Sequence, residues 1–315
     1  MPSLTVAVCT YNRAGRLPKL IESLRALAAP IPFEILIVNN NSTDDTLEVL
    51  KRLAIPHPVA LRVVTETRQG IPYARNRAVE ECLDRDYMLF MDDDQLPEAH
   101  WIEAAINAFE TTNADCLGGR IMVRVPGDHP PKWLRPSVLG FLGALDHGTK
   151  RFRIQDTSTP IWSGNVGYRM SLFREHPEIR FDTRYNRAGV GIGGGEDVIM
   201  FRTLLERGFA LHYVPEMAVD HFVEEWKMHR RYFLKLHFVS GRKQGQHEEN
   251  QYARTLFGVP PFLIAKTFRD FFSGLGAYLR SDPDALRTLM TASHTAGTVW
   301  GMVLRWQQNR NSKAL

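Results

Sequence analysis

The chain has 315 residues, 44% of them hydrophobic and 23% charged, which suits one large domain or a domain with an appendage and excludes a disordered chain. Its 23 glycines and 18 prolines are too few for a collagen-like or low-complexity sequence, and its three cysteines, Cys9, Cys82 and Cys116, are too few and too scattered for a disulfide framework or a zinc cluster. The formal charge of +4 divides unevenly, since residues 1–221 carry 25 basic against 28 acidic side chains and residues 222–315 carry 14 against 7, an asymmetry that raises nucleic acid or a membrane surface as partners of the basic tail.

Met1 leads straight into the β-branched run Leu4–Cys9 (LTVAVC), without the basic start and long apolar region of a secretion signal. A cytoplasmic, reducing location is therefore expected. That run predicts a strand ending at the polar Thr10-Tyr11-Asn12-Arg13, and the apolar spacing over Leu17–Leu27 predicts a helix. Glu34–Val38 repeats the pattern, ending in Asn39-Asn40-Asn41-Ser42-Thr43-Asp44 before a helix over Asp45–Leu53, with Ser42 or Asp44 as N-cap. A third strand is expected at Ala60–Thr65, a helix at Tyr73–Leu83 and a fourth strand at Tyr87–Met91. Apolar strands alternating with helices imply an α/β fold, a Rossmann-like, mostly parallel sheet flanked by helices. Ligands in such sheets bind beyond the carboxyl ends of the strands, so the polar clusters after Cys9, Val38 and Met91 should meet in one crevice.

Met91 is followed by Asp92-Asp93-Asp94. Three adjacent carboxylates repel one another, and an apolar neighbourhood makes that worse unless a cation is present. Asp92 and Asp94 fall on the same face of an extended backbone and suit a hard divalent ion such as Mg²⁺ or Mn²⁺, which shares its coordination with phosphate oxygens. A second acidic pair, Glu196-Asp197, follows the glycine run 189–195 and precedes Val198–Leu205, which is helical in character. Gly189, Gly191 and Gly194 spell a GxGxxG, but no apolar strand precedes it, so a dinucleotide fingerprint is rejected. His221 sits in the extended segment Val214–Val223, whereas His129, His147 and His212 have no supporting pattern. Arg75 near a helix start suits phosphate. Trp162, beside Ser163-Gly164-Asn165, suits the apolar face of a sugar and is the candidate acceptor contact.

Taken in order and spacing, VCTYNR (Val8–Arg13), VNNNSTDDT (Val38–Thr46), GIPYARNRA (Gly70–Ala78), FMDDD (Phe90–Asp94), SGNVGYR (Ser163–Arg169) and GGED (Gly194–Asp197) resemble glycosyltransferase family 2, the inverting nucleotide-sugar transferases of the GT-A fold. The resemblance runs from about Leu4 to Val223. It implies that Thr10, Tyr11, Arg13, Asn39 and Arg75 hold the nucleoside and diphosphate, with Asp92, Asp93, Gly164 and Asn165 also on the nucleotide-sugar side. It further implies that Asp94, Asp92 and His221 serve the metal, and that Asp197 with Glu196 forms the catalytic base pair. The implied reaction moves a sugar from a nucleoside-diphosphate sugar, UDP or dTDP leading, to a hydroxyl of a saccharide or lipid-linked acceptor, with inversion. Family members commonly carry Asp where this chain has Asn39, which leaves the base open. Two alternatives stand beside it. A nucleotidyltransferase would need a glycine-rich basic loop after the first strand, which CTYNR lacks, and a silent nucleotide-sugar-binding scaffold would be expected to have lost Asp94 or Asp197.

The expected domains are 1–223 for the transferase, divided into a nucleotide-sugar half of about 1–118 and an acceptor half of about 119–223, and 224–315 for a helical extension. Basic and aromatic residues alternate over Glu224–Ser240, and Phe257–Leu279 is aromatic-rich. A further helix over Thr288–Leu304, begun by Asp282-Pro283, contains a GxxxG at Gly297 and Gly301. Such helices suit the surface of an anionic membrane, or packing on the catalytic domain or on a second copy of the chain. Nucleic acid is not expected, because the basic residues are dispersed among apolar ones.

Overall fold

A computed structural model describes residues 2–127, 130–186, 194–248, 252 and 254–312. The glycine run over 189–193 and His129 lie outside the described residues. In chain order the elements are β1 (Leu4–Thr10), α1 (Leu17–Arg25), β2 (Phe33–Asn39), α2 (Thr46–Leu53), β3 (Ala60–Thr65), α3 (Ile71–Glu81), β4 (Tyr87–Asp92) and β5 (Gln95–Pro97). There follow α4 (Trp101–Thr111), β6 (Cys116–Arg124), α5 (Pro136–Leu139), β7 (Phe152–Arg153), β8 (Asn165–Arg169), α6 (Ser171–Glu175), α7 (Glu196–Glu206) and β9 (Leu211–Phe222). The tail forms α8 (Arg230–His247), α9 (Pro261–Leu279) and α10 (Ala285–Ser312). By internal packing the described residues form two compact units, one drawn from 1–124, 143–186 and 196–223, the other from 125–142 and 224–312. Residues 125–142, which the sequence assigns to the acceptor half, thus group with the C-terminal helices.

The first unit is built on one sheet in the order β3-β2-β1-β4-β8-β6-β9-β5, with β7 on β9. Strands β3, β2, β1 and β4 are parallel, β8 is antiparallel between β4 and β6, and β6 and β9 are parallel. Every residue of β1 is buried, as expected of a central strand covered by helices on both faces. The strands β6 and β8 carry too many glycines to be read from apolar pattern, and packing explains them. A Cβ on Gly118 would lie 2.0 Å from Ile161, one on Gly119 2.0 Å from the Met217 carbonyl, and one on Gly167 2.8 Å from Leu89. Cys9, Cys82 and Cys116 are buried free thiols in this core, and burial raises the pKa of each.

In the second unit, α8 begins at Arg230 because residues 225–227 form a separate 3₁₀ turn. The helix then runs on through Gly241 and Gly245, a second GxxxG that faces the one in α10. Cβ atoms at Gly241 and Gly245 would lie 2.0 and 2.1 Å from the carbonyls of His294 and Thr298, and those at Gly297 and Gly301 2.1 and 2.0 Å from the carbonyls of Phe238 and Arg242. The two backbones are therefore in direct contact, which only glycine allows. Gly301→Leu is expected to destabilise this unit by about 3 kcal/mol through overpacking. A thermal melt followed by far-UV circular dichroism should show the loss, and an unchanged melt would mean that the helices do not pack this way. Among the described residues no helix is long and apolar enough to cross a membrane.

Candidate active site

The parallel register brings the polar strand ends together, with Thr10 opposite Asn39 and Cys9 opposite both Val38 and Asp92. The loops after β1 and β2 are stitched side chain to backbone. Ser42 Oγ accepts the Asn12 N–H at 3.0 Å, Thr46 Oγ1 accepts the Arg13 N–H at 2.9 Å, and Asn12 Oδ1 accepts the Thr43 N–H at 2.8 Å. Asp44 Oδ1 accepts the Thr46 N–H at 3.0 Å, but the N-cap position of α2 is Asp45, whose side chain makes no capping bond, so neither Ser42 nor Asp44 is the N-cap. These bonds fix the segment bearing Tyr11 and Arg13 without using either side chain. Asn39 is buried at the end of β2, and its Oδ1 accepts the Ser42 N–H at 3.2 Å.

The three aspartates part company. Asp93 turns inward, where Thr10 Oγ1 donates to its Oδ2 at 2.7 Å and Arg13 Nε lies 3.7 Å from its Oδ1. Burial, helped by the charge of Asp94, pushes the Asp93 carboxyl up to about 7. Asp92 faces Arg75, whose guanidinium donates to Asp92 Oδ1 at 3.1 Å and to Glu196 Oε1 at 2.8 Å while lying over the Phe181 ring. Burial opposes the charge on Arg75, but Asp92 and Glu196 more than offset it and hold its pKa above the ordinary value. Gly164 makes room for this arrangement, because a Cβ there would lie 2.5 Å from Asp92 Oδ2. Helix α3, which presents Arg75, starts at Ile71, two residues earlier than its apolar spacing suggests. Pro72 suits a first turn, and Gly70 before it has φ +141°.

Asp94 meets His221 instead, with Nε2 and Oδ2 3.3 Å apart. The antiparallel pairing of β5 with β9 sets Gln95 opposite His221, one residue beyond Asp94, and the Phe222 N–H donates to the Asp94 carbonyl at 2.9 Å. His221 Nδ1 is buried without a hydrogen-bond partner, against the position where a Cβ on Gly143 would lie 3.0 Å away. Of the three expected metal ligands, then, Asp94 and His221 come together while Asp92 is turned toward Arg75. Among the described residues no three His, Cys, Asp or Glu side chains form a metal cluster. A carboxylate oxygen beside an imidazole nitrogen fits a Mg²⁺ or Mn²⁺ whose remaining ligands come from phosphate or water.

The acidic pair at the start of α7 is also divided. Glu196 is buried on Arg75, while Asp197 is half-buried and its Oδ1 accepts the Val198 N–H at 2.8 Å. Asn165 does not reach the crevice. It is 0% exposed, its Oδ1 accepts the indole N–H of Trp101 at 2.8 Å, and its amide donates to the carbonyls of Arg120 and Met217 at 2.9 and 2.7 Å. It is a strut of the sheet. Trp162 is half-buried, packed against the core. Sequence reading missed two residues of this region. Arg16 Nη1 stands 4.0 Å from Asp94 Oδ2, and the buried Gln95 accepts the Asp92 N–H at 3.4 Å. Arg16 is signalled by a second arginine in the loop after β1, whereas nothing local marks Gln95.

Known proteins resemble this chain in sequence and in fold. A family model described as glycosyl transferase family 2 matches residues 5–176. The chain is 25% identical over 254 residues to the succinoglycan biosynthesis protein ExoM of Rhizobium meliloti, covering 77% of this chain and 74% of that protein. To a pre-mycofactocin glycosyltransferase of Mycobacterium tuberculosis it is 27% identical over 231 residues, 69% of this chain but only 42% of that relative. The solved mannosyltransferase PcManGT of Pyrobaculum calidifontis, in complex with GDP-Man and Mn²⁺, aligns with a TM-score of 0.55 at 17% identity, covering 99% of this chain and 79% of its own. TarS 1–349 of S. aureus in complex with UDP aligns at 0.54 and 15%, covering 99% and 92%. Likeness at that identity speaks to the fold, which is GT-A. With its strand-end carboxylates so arranged and the family model spanning more than half of its length, the chain belongs to glycosyl transferase family 2.

Proposed function

We propose that this protein is a metal-assisted, inverting glycosyltransferase that moves a sugar from a UDP- or dTDP-sugar to a hydroxyl of a saccharide or lipid-linked acceptor during glycan or polysaccharide synthesis. The observation that carries this reading is the division of the carboxylates, Asp94 beside His221 and Asp197 beside the Arg75–Glu196 pair. A divalent ion, when bound at Asp94 and His221, supplies charge stabilisation to the departing nucleoside diphosphate. Arg13 and Arg75 add positive charge on the same side, while Asn39 and Tyr11 contact the nucleoside. Asp197 Oδ1 is engaged by the helix backbone, so Oδ2 takes the proton of the acceptor hydroxyl as that oxygen attacks the anomeric carbon opposite the leaving group. Attack from that face inverts the configuration. Trp162 offers an apolar ring face to the acceptor.

The ExoM name, with its succinoglycan biosynthesis, supports a polysaccharide setting, and the UDP and GDP-Man complexes of the fold relatives support a nucleotide-sugar donor. Thermal stabilisation by UDP-, dTDP- and GDP-sugars, with Mn²⁺ and with a chelator, tests the donor side. At one hundred times its Kd the right donor should stabilise by about 2.7 kcal/mol, and both chelator and Asp94→Ala should remove most of that. Equal stabilisation in Asp94→Ala would take Asp94 out of the metal–diphosphate unit, and pyrophosphate as the released product would replace glycosyl transfer with nucleotidyl transfer.

A further inference from the structure

Helix α9 of the C-terminal unit leaves one face bare. Gly274 and Ala277 are buried, and Gly274 packs against Leu289 of α10. On the other side Phe268, Phe271, Phe272, Leu275, Tyr278 and Leu279 are all exposed, with Phe272 at 63% and Leu279 at 74%. At 100° per residue these six side chains fall within an arc of about 120°, a continuous aromatic and aliphatic stripe. A stripe of this size exposed to water marks an interaction surface. Arg269 stands at its border, mostly exposed.

A second feature of the same unit adjoins the stripe. Trp133, Trp226, His229, Arg230, Arg231, Tyr232 and Lys235 line a concavity of about 770 Å³. Arg230, Arg231 and Lys235 are exposed, and among the described residues no carboxylate forms an ion pair with any of them. Trp226, 49% exposed, lies edge-on to Tyr232. The Arg230 guanidinium bridges the two features, 5.8 Å from the Trp133 ring centroid and 5.9 Å from that of Tyr278, the latter a member of the stripe. Three cations, none of them paired with a carboxylate among the described residues, therefore open beside an apolar helix face and are walled by indoles.

We propose that this surface docks on an anionic phospholipid bilayer, with the α9 stripe set among the acyl chains and headgroup region and lipid phosphates taken by Arg230, Arg231 and Lys235. Charge selects this occupant. A second copy of the chain, meeting the same patch across a two-fold axis, would bring these like charges toward their own counterparts. An anionic bilayer satisfies the apolar stripe and the cations together, indole rings favour the interface, and this part of the chain carries 14 basic against 7 acidic residues. The surface would hold the transferase where lipid-linked acceptors reside, but the docking itself does not depend on the chemistry proposed above.

Flotation of the full chain with vesicles of phosphatidylcholine alone, and of phosphatidylcholine mixed with phosphatidylglycerol, tests this. The protein should rise with the mixed vesicles, stay behind with the neutral ones, and be released in part by high salt. Phe271→Ser with Phe272→Ser, both exposed positions, should lower the partition coefficient about tenfold or more at an unchanged melting temperature. Arg231→Gln with Lys235→Gln should lower it roughly 25-fold. Absence of flotation with the mixed vesicles, or flotation of both double variants like the wild type, would overturn the proposal. So would a dimer, seen by light scattering, that the phenylalanine pair dissociates while flotation stays unchanged. Because vesicle binding is read without substrate, its failure is distinguishable from failure of the transferase reading.

Discussion

Asp197→Asn should slow sugar transfer by about three orders of magnitude, the range lost when a positioned general base is removed, with the donor Kd within about twofold of wild type. The replacement is isosteric and keeps an oxygen that can accept the Val198 N–H, so the start of α7 should stand. What is lost is the capacity of the second oxygen to take a proton. Initial rates with saturating donor and acceptor, together with calorimetric titration of the nucleotide, separate the two quantities. Near-normal turnover would remove Asp197 from the base role. Glu196→Gln offers the contrast. Glu196 is buried against Arg75, so its neutralisation should lower stability and donor affinity as well as rate, the signature of a residue that positions a partner.

Arg75→Leu should be the most destabilising single change in the site. The guanidinium is buried and lies 2.8 Å from the equally buried Glu196 carboxylate, and removing one member of such a pair typically costs about 3–5 kcal/mol because the other charge stays desolvated. Thermal unfolding should fall by roughly 10 °C for a unit of this size. Adding Glu196→Leu should recover part of the loss, since it removes the more deeply buried of the two carboxylates that Arg75 serves and leaves only the partly exposed Asp92 without its partner, yet it should restore no activity. A melting point for Arg75→Leu within a degree or so of wild type would mean that the pair is not closed in solution. Failure of the double variant to recover would place the cost in packing around Phe181, over which Arg75 lies.

Most of the first unit was legible because its signals are local. The strands of the nucleotide half are short, mostly apolar runs, and the ends of β1, β2 and β4 are marked by polar clusters, so β1 through β4 appear within a residue or two of where the pattern puts them. The α/β alternation then demands parallel pairing, and parallel pairing demands that Thr10, Asn39 and Asp92 share one edge. Beyond Asp94 the local signals fade. Strands β6 and β8 are punctuated by glycines whose reason is a neighbour from a distant segment. Asn165 looks like a site residue, since nothing in its surroundings in the chain reveals that Trp101, Arg120 and Met217 consume its hydrogen bonds.

The same division runs through the site and the tail. Sequence alone determined the α/β class, the family motifs, the run of three aspartates, the acidic pair before α7 and the basic, aromatic character of the last ninety or so residues. Only the tertiary structure decided what each carboxylate faces, because that depends on which strands pair and how far they slide. The β5–β9 register carries His221 to Asp94, α3 swings Arg75 between Asp92 and Glu196, and Asp93 turns inward to Thr10. In the tail, composition promises basic amphipathic helices. The glycine-to-glycine packing of α8 on α10 and the seating of Gly274 against Leu289 decide which side of α9 is spent on the fold and which aromatic face is left to water.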